Sequence, residues 1–317
     1  MNELLYQNTF DVLQDVGFGQ VDVDSKEGAS VLGGALSILG PTVGAPWIVR
    51  VGFALFPRVW NFPHWFKFLQ FTQSIIEKKI SQSGKSDSLD IASFFIEDGQ
   101  RPDADQISRE AIGGECGVIL LAGSTSGPSL ILLFYCLARW PEQAEKIRQE
   151  LRNVDYRDMN AFSALPHLTA TIHESLRLYP AGPTFGSRIT PPEGINCDGT
   201  YIPGGVKIVA PRYSLGRQSY EKPLEFIPER WYSQPELIKD KRTFAPFSMG
   251  RNSCAGKKVA MAQLRLTAAM ILSKYSIKFA PGTSNGILVE KNMRDQLTPL
   301  PGELELVFEK LESPVWE

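Results

Sequence analysis

The longest run without charge sets the strongest limit on how this chain can fold. No Asp, Glu, Lys or Arg occurs between Cys116 and Ala138, and about 20 apolar residues are enough for a helix to cross a bilayer. The centre of the run, however, is the polar block Gly-Ser-Thr-Ser-Gly-Pro-Ser from Gly123 to Ser129, which a helix facing lipid would avoid. We therefore interpret the run as part of a long helix, from about Asp103 to Arg139, that is buried inside the protein.

The composition is that of a folded globular protein. Hydrophobic residues make up 43% of the 317 residues and charged residues 21%, as in ordinary soluble domains. The net charge of −2 and the lack of a basic stripe argue against a nucleic-acid-binding protein. The four cysteines form no CxxC pair and no regular framework, which favours a reducing compartment over a disulfide scaffold.

Helical patterns fill the first part of the chain, and short β-like runs fill the last part. Apolar spacing predicts helices over residues 2–16 and 28–39, the second stopped by Gly40-Pro41. Later runs suited to strands lie between Pro and Gly residues: Phe185–Ile189, Val206–Ala210, Ser276–Phe279 and Glu303–Phe308. This order predicts one mainly α domain with small β-sheets over residues 1–317, without a second domain.

A cysteine between two glycines stands just ahead of a late helix. The stretch Phe-Ser-Met-Gly-Arg-Asn-Ser-Cys-Ala-Gly runs from Phe247 to Gly256, and apolar residues at helical spacing follow from Val259. Glycines let the backbone turn tightly and approach a large planar ligand, and a helix N-terminus favours a thiolate over a thiol. A thiolate suits haem-thiolate chemistry, because the sulfur donates electron density to iron and favours O–O cleavage. The alternative is a buried free cysteine in a Gly-rich turn, and this stretch alone leaves both interpretations open.

Three further segments accompany the cysteine in a specific order. Residues 122–126 (Ala-Gly-Ser-Thr-Ser) lie in the uncharged run, residues 174–177 (Glu-Ser-Leu-Arg) lie on a helix, and residues 228–230 (Pro-Glu-Arg) follow. Together with the Phe-x-x-Gly-x-x-x-Cys-x-Gly loop, this set resembles the cytochrome P450 family and is highly specific to it. The resemblance runs from about Met1 to the C-terminus, and the sequence of residues 8–12 is similar to that of fungal microsomal members. It implies the cytochrome P450 fold.

The resemblance implies that the chain binds haem b, with Cys254 as the axial thiolate ligand of the iron. Phe247 would cover the side of the sulfur, while Gly250 and Gly256 would allow the loop to close.

The haem propionates would need positive partners. Family members usually carry an Arg two residues before the cysteine, where this chain has Asn252, with Arg251 one position earlier. Arg251 is the candidate to replace that residue. Arg188 matches the family's second propionate arginine.

Glu174 and Arg177 stand three apart on a helix and therefore share one face. From these residues alone, the simplest interpretation is an exposed pair worth a few tenths of a kcal/mol. The resemblance implies the opposite: a buried network that Arg230 completes and that fixes the segment leading to the cysteine loop. Removing one partner of such a network costs roughly 3–5 kcal/mol.

The resemblance places residues 122–126 across the oxygen-binding face of the haem. Gly123 would there leave room for a diatomic ligand. Family monooxygenases usually have an acid followed by a threonine, and this pair delivers protons, whereas this chain has Thr125 and Ser126. Ser126 can still donate a hydrogen bond, but loss of the acid weakens the relay, and Pro128 should distort the helix.

The resemblance implies a haem-thiolate monooxygenase that inserts one oxygen atom of O2 into a small apolar organic substrate, with electrons from NADPH through NADPH–cytochrome P450 reductase. Four positions match places where the family touches substrate: Thr184, Phe185, Leu297 and Thr298. Two alternatives stay open. One is a haem-thiolate enzyme that uses peroxides or rearranges its substrate without a proton relay, which the missing acid favours. The other is an inactive fragment.

The resemblance also implies a place on the cytoplasmic face of the endoplasmic reticulum membrane. Aromatic residues accumulate from Pro46 to Phe68, with Arg50, Arg58 and Lys67 among them. They are either core residues or a lip in peripheral contact with the membrane.

Basic residues at the start of the helix after the cysteine admit two interpretations. These residues are Lys257, Lys258 and Arg265. They form either a solvated helix face or a docking patch for an acidic electron donor. We expect docking, because this face should lie beneath the haem.

Family members are longer and begin with a membrane anchor, the first strands of the main sheet and several helices. This chain starts at what resembles a middle helix. We therefore expect that the N-terminal part is missing and that residues 1–317 form a partial cytochrome P450 domain, from the middle helices through the haem loop to the C-terminal strands. The chain alone should then expose apolar patches, be poorly soluble and hold haem weakly or not at all.

Overall fold

A computed structural model describes most of the chain. The described residues are 1–19, 21–44, 46–56, 58, 62–82, 90–101, 106–155, 157–158, 160–184, 186–283 and 285–316. Phe185, one of the predicted substrate contacts, and Asp103, the predicted start of the long helix, lie outside them.

Helices dominate the described structure, as the sequence predicts. Their bounds are α1 Asn2–Phe18, α2 Ser25–Gly44, α3 Pro46–Leu55, α4 Phe62–Gln82, α5 Ile91–Gln100, α6 Gln106–Gly123, α7 Ser126–Arg139, α8 Pro141–Leu151, α9 Pro166–Leu178, α10 Arg212–Gln218, α11 Lys257–Leu272 and α12 Ile287–Lys291. Helices α8 and α9 each begin at a proline, which is favoured there because the first N–H of a helix has no partner within it.

The strands are short and pair into small antiparallel sheets. Their bounds are β1 Arg188–Ile189, β2 Ile195–Cys197, β3 Thr200–Ile202, β4 Lys207–Ile208, β5 Tyr275–Phe279, β6 Arg294–Gln296, β7 Thr298–Leu300 and β8 Leu306–Lys310. The pairs are β1 with β4, β2 with β3, β5 with β8 and β6 with β7. The mainly α class with small sheets is therefore confirmed. The hairpins β2–β3 and β6–β7 were not predicted, because their strands are too short for an alternating pattern to stand out.

Helix α7 is the centre of the larger hydrophobic core. Every residue from Ser126 to Leu137 is buried, and α7 contacts α1, α8, α9, α11 and β5. A second cluster joins α1, α2, α4, α5 and α6 around Phe10, Phe68 and Ile75. The uncharged run Cys116–Ala138 is thus largely enclosed by protein, as its polar centre indicated.

The predicted helix up to Arg139 is divided into α6 and α7 at Ser124 and Thr125. The break follows from Pro128, which has no N–H to offer the carbonyl of Ser124 four residues earlier. That carbonyl instead accepts a hydrogen bond from the N–H of Gly127 at 3.1 Å. The prediction of one continuous helix was wrong, whereas the predicted distortion by Pro128 is confirmed.

The predicted stop of the second helix at Gly40-Pro41 was also wrong. Helix α2 continues to Gly44. A proline removes only one backbone hydrogen bond from a helix, so a long helix with a packed face can continue past it.

Candidate functional site

The loop from Phe247 to Gly256 presents Cys254 at the protein surface. The N–H of Cys254 donates to the carbonyl oxygen of Phe247 at 2.8 Å, which closes the loop. Ser248 and Gly250 adopt positive φ angles of 60° and 78°, and glycine takes such angles without strain. Helix α11 then begins at Lys257. The two ends of the loop are therefore held, while Cys254 itself is exposed.

Cys254 differs from the other cysteines in its surroundings. Cys116 and Cys136 are buried, and burial raises the pKa of the Cys116 thiol to about 11 and that of Cys136 further. Cys197 is exposed but lies in the short strand β2. Cys254 is thus an accessible thiol directly before a long helix. The alternative of a buried cysteine in a Gly-rich turn does not hold.

Two exposed arginines are candidates to bind an anion. Arg251 lies in the cysteine loop and Arg188 in strand β1, and both are exposed. Neither forms an ion pair with any residue that the structure describes. Burial and the charge of Arg188 together lower the pKa of Arg212. The Arg188 Nη1 donates to the carbonyl of Ser187 at 2.9 Å, and neither guanidinium group is neutralised by a described carboxylate. A soft sulfur ligand together with such cations fits haem, which offers iron and two carboxylates.

Glu174, Arg177 and Arg230 meet in a fully buried network, and all three side chains have 0% exposure. Arg177 donates to both oxygens of Glu174, from Nε and Nη2, at 2.9 Å each. Arg230 Nε donates to Glu174 Oε1, also at 2.9 Å. The interpretation from the residues alone, an exposed pair, was wrong. The burial matches what the resemblance implied.

Two further donors reach Glu174 that the sequence did not single out. The indole Nε1 of Trp231 donates to Oε2 at 3.0 Å, and the N–H of Ile227 donates to Oε1 at 2.9 Å. A tryptophan that directly follows the Pro-Glu-Arg segment was the available signal for the first. No side-chain pattern announces a backbone donor.

The segment 122–126 contains the break between α6 and α7. The Thr125 hydroxyl donates to the carbonyl of Ala122 at 2.8 Å, so its proton is already used within the segment. Ser126 begins α7 and is 8% exposed. Of the two hydroxyl groups that the sequence singled out, that of Thr125 thus already makes a hydrogen bond within its own segment.

Gly123 does not lie beside open space. A Cβ atom at this position would stand 2.2 Å from Cδ1 of Leu13 in α1. The helices can therefore pack this closely only because glycine has no side chain. Ala122 is the exposed residue of the pair. The expectation that Gly123 leaves room for a diatomic ligand therefore finds no support in its contacts.

Three of the four predicted substrate positions come together. The Thr184 hydroxyl donates to Oδ2 of Asp295 in β6 at 2.5 Å, and Leu297 and Thr298 lie at the turn and second strand of the same β6–β7 hairpin. The hairpin also contacts helix α2. The hydroxyl oxygen of Thr298 is buried without a hydrogen-bond partner among the described residues.

The aromatic region between Pro46 and Phe68 divides into two groups. Phe62 is buried, with Phe53 and Trp65 packed around it. Other apolar side chains are exposed: Trp47, Val51, Leu55, Phe56, Phe66 and Leu69. Arg50, Arg58 and Lys67 are exposed as well, while Trp60 lies outside the described residues. The region thus contains both core residues and exposed apolar and basic residues.

One helical stretch of the described chain, Ala111–Arg139, is long and apolar enough to cross a membrane. Within its most apolar window, 67% is buried inside the protein. A core helix of a globular protein has the same properties.

Comparison with known proteins matches the Cytochrome P450 family model to residues 1–306. Cytochrome P450 monooxygenase notG' of Aspergillus versicolor is 33% identical over 306 residues, which cover 92% of this chain and 54% of that protein. Tryprostatin B 6-hydroxylase of Neosartorya fischeri is 35% identical over 246 residues, covering 74% of this chain and 44% of that protein. The chain therefore spans about half the length of the curated relatives that it matches.

Proposed function

The chain belongs to the cytochrome P450 family, and from this premise we propose that Cys254 is the axial thiolate ligand of haem b. The observation that carries the proposal is the exposed thiol of Cys254, held by the 2.8 Å bond of its N–H to Phe247 at the start of α11. Family membership implies haem with thiolate ligation. The bound iron would supply oxygen activation, and the chain would orient and anchor it.

The propionates are assigned to Arg188 and Arg251. Both guanidinium groups are exposed and lack an ion pair in the described part of the chain, so they can offer the planar donor pairs that suit carboxylates. Phe247 is half-buried and packs against the main core, which supports its role as a fixed wall beside the sulfur. Gly250 has the φ angle of 78° that favours glycine in the loop, whereas Gly256 has an ordinary φ of −78° and caps helix α11.

We further propose monooxygenation as the reaction. One atom of O2 enters a small apolar organic substrate, and the other leaves as water with two protons and two electrons. The electrons would come from NADPH through NADPH–cytochrome P450 reductase, docked at Lys257 and Lys258, which are exposed. Arg265 donates to the hydroxyl of Thr169 at 3.2 Å and is less available. Substrate would contact Thr184, Phe185, Leu297 and Thr298.

In this scheme Ser126 would donate the hydrogen bond that helps to relay protons, since the hydroxyl of Thr125 already donates to the carbonyl of Ala122. This same observation favours a second candidate function. An enzyme that takes its oxygen from a peroxide, or that rearranges its substrate, needs no acid at position 125 to relay protons. The second candidate therefore differs from the first in its oxidant and in its need for a reductase.

The exposed apolar residues of α3 and α4, with Arg50 and Lys67, support a peripheral contact with the cytoplasmic face of the endoplasmic reticulum membrane. Apolar side chains flanked by cations match the boundary between acyl chains and anionic headgroups.

The test compares two exposed cysteines. Wild-type protein, Cys254→Ala and Cys197→Ala are loaded with haem, reduced and exposed to CO. We expect the red-shifted absorbance band of thiolate-ligated haem in the wild type and in Cys197→Ala, and its loss in Cys254→Ala. A band that survives in Cys254→Ala refutes the ligand assignment. Turnover with NADPH and reductase, set against turnover with peroxide alone, then separates the two reactions.

A further inference from the structure

Trp231 occupies a defined place between the buried network and the cysteine loop. Its indole N–H donates to the Glu174 carboxylate at 3.0 Å, and a hydrogen bond to a charged acceptor is stronger than one between neutral groups. The orientation of the indole ring is therefore fixed from helix α9. Arg177 Nε donates to the same oxygen.

Trp231 also contacts Phe244, a residue shortly before the cysteine loop. The Trp231 and Phe244 ring centroids are 4.3 Å apart. His173 stands 5.5 Å from Trp231 and 5.2 Å from Phe244, so the three rings form one cluster. His173 precedes Glu174 on α9, which ties the cluster to the same helix. Phe244 opens the segment that reaches Phe247 and then Cys254.

The arginines of the network do not make this connection. The remaining hydrogen bonds of Arg177 go to the carbonyls of Gly216, Pro223 and Glu225. Those of Arg230 go to the carbonyls of Glu221, Lys222 and Leu237. All six acceptors precede Phe244 in the chain. Neither arginine therefore holds the segment 244–256 directly.

We infer that Trp231 is a positioning residue, which transmits the fixed position of Glu174 through Phe244 to the loop that presents Cys254. The inference rests on the proposed function only for the role of Cys254 as a haem ligand. The contact itself concerns the chain alone. Loss of the indole N–H should free the ring at position 231 to turn, and loss of the ring should leave Phe244 without the nearest of its described aromatic neighbours.

The experiment uses the full chain with Trp231→Phe, which keeps a ring but loses the N–H, and Trp231→Leu, which loses both. Trp316→Phe is the matched control, because its indole also donates into the core, to the carbonyls of Leu151 and Val154. Amide hydrogen exchange is followed in peptides that cover residues 244–256 and, for comparison, residues 126–139 of α7.

We expect exchange of the 244–256 peptide to rise at least roughly tenfold in Trp231→Phe, as fits the loss of a hydrogen bond to a charged group, and further in Trp231→Leu. The α7 peptide should change no more than in Trp316→Phe. An unchanged 244–256 peptide overturns the inference. An equal rise in both peptides also overturns it, because it reports only a general loss of stability.

A second readout connects the loop to haem. In haem-loaded protein, Trp231→Phe should increase the share of the ferrous–CO complex that absorbs without the thiolate red shift, while Trp316→Phe should not. If the wild type itself shows no thiolate band, the proposed function fails, whereas the exchange measurement still decides the role of Trp231. If the variant keeps the wild-type band and the wild-type exchange, Trp231 does not position the loop.

Discussion

Replacing Glu174 by Gln should destabilise the protein more than replacing Arg230 by Met, although the second change removes the larger side chain. The network contains two guanidinium groups and one carboxylate, which gives it a formal charge of 2 − 1 = +1. Backbone carbonyls of six residues surround the two cations. Their dipoles offset the excess positive charge.

Glu174→Gln leaves two cations side by side with no anion, at 0% exposure. An uncompensated buried charge costs about 3–5 kcal/mol, and the free energy of unfolding should fall by at least this amount. Arg230→Met leaves a neutral Glu174–Arg177 pair that keeps both of its 2.9 Å bonds. The loss should then be about 1–3 kcal/mol, from carbonyls and a carboxylate oxygen with fewer donors.

Urea unfolding, followed by far-ultraviolet circular dichroism, measures both changes. Arg242→Met is the control for loss of an arginine, because its ion pair with Asp240 is exposed and solvent screens such pairs, so that they contribute little to stability. The expected order of destabilisation is Glu174→Gln, then Arg230→Met, then Arg242→Met. An Arg230→Met variant as unstable as Glu174→Gln would show that hydrogen-bond number, and not uncompensated charge, determines the stability of the network.

Two further predictions concern His173 and the segment of residues 122–126. Burial, with the charges of Arg265 and Lys257, lowers the pKa of His173 to about 4. Below pH 6.5 the folded protein therefore binds fewer protons than the unfolded chain. The free energy of unfolding should fall as the pH drops, by about 2 kcal/mol at pH 5. His173→Phe should flatten this decline in urea midpoints between pH 7.5 and 5, and an unchanged slope would assign it to other groups. Thr125→Asp with Ser126→Thr restores the usual family pair and should raise the fraction of NADPH that yields product; unchanged coupling with full haem content would favour the peroxide or rearranging reaction.

Local patterns predicted much of the architecture because they depend on neighbours along the chain. The segment at residues 174–177 was expected on a helix and lies in α9, and Pro128 indicated the break before α7. The helix through Gly40-Pro41 and the hairpin β6–β7 were missed. A proline removes only one backbone hydrogen bond from a long helix, and very short strands leave no alternating pattern in the sequence.

The sequence by itself determined the family, through the cysteine loop and the segments at residues 174–177 and 228–230, because these motifs are read at fixed spacing. Only the tertiary structure decided which side chains share one site. Glu174 and Trp231 are 57 positions apart, and the burial of the Glu174–Arg177 pair depends on the segment that folds over it. Gly123 likewise acquires its meaning from Leu13 of α1. Spacing along a chain specifies helices and motifs, whereas burial and long-range partners depend on how those elements pack.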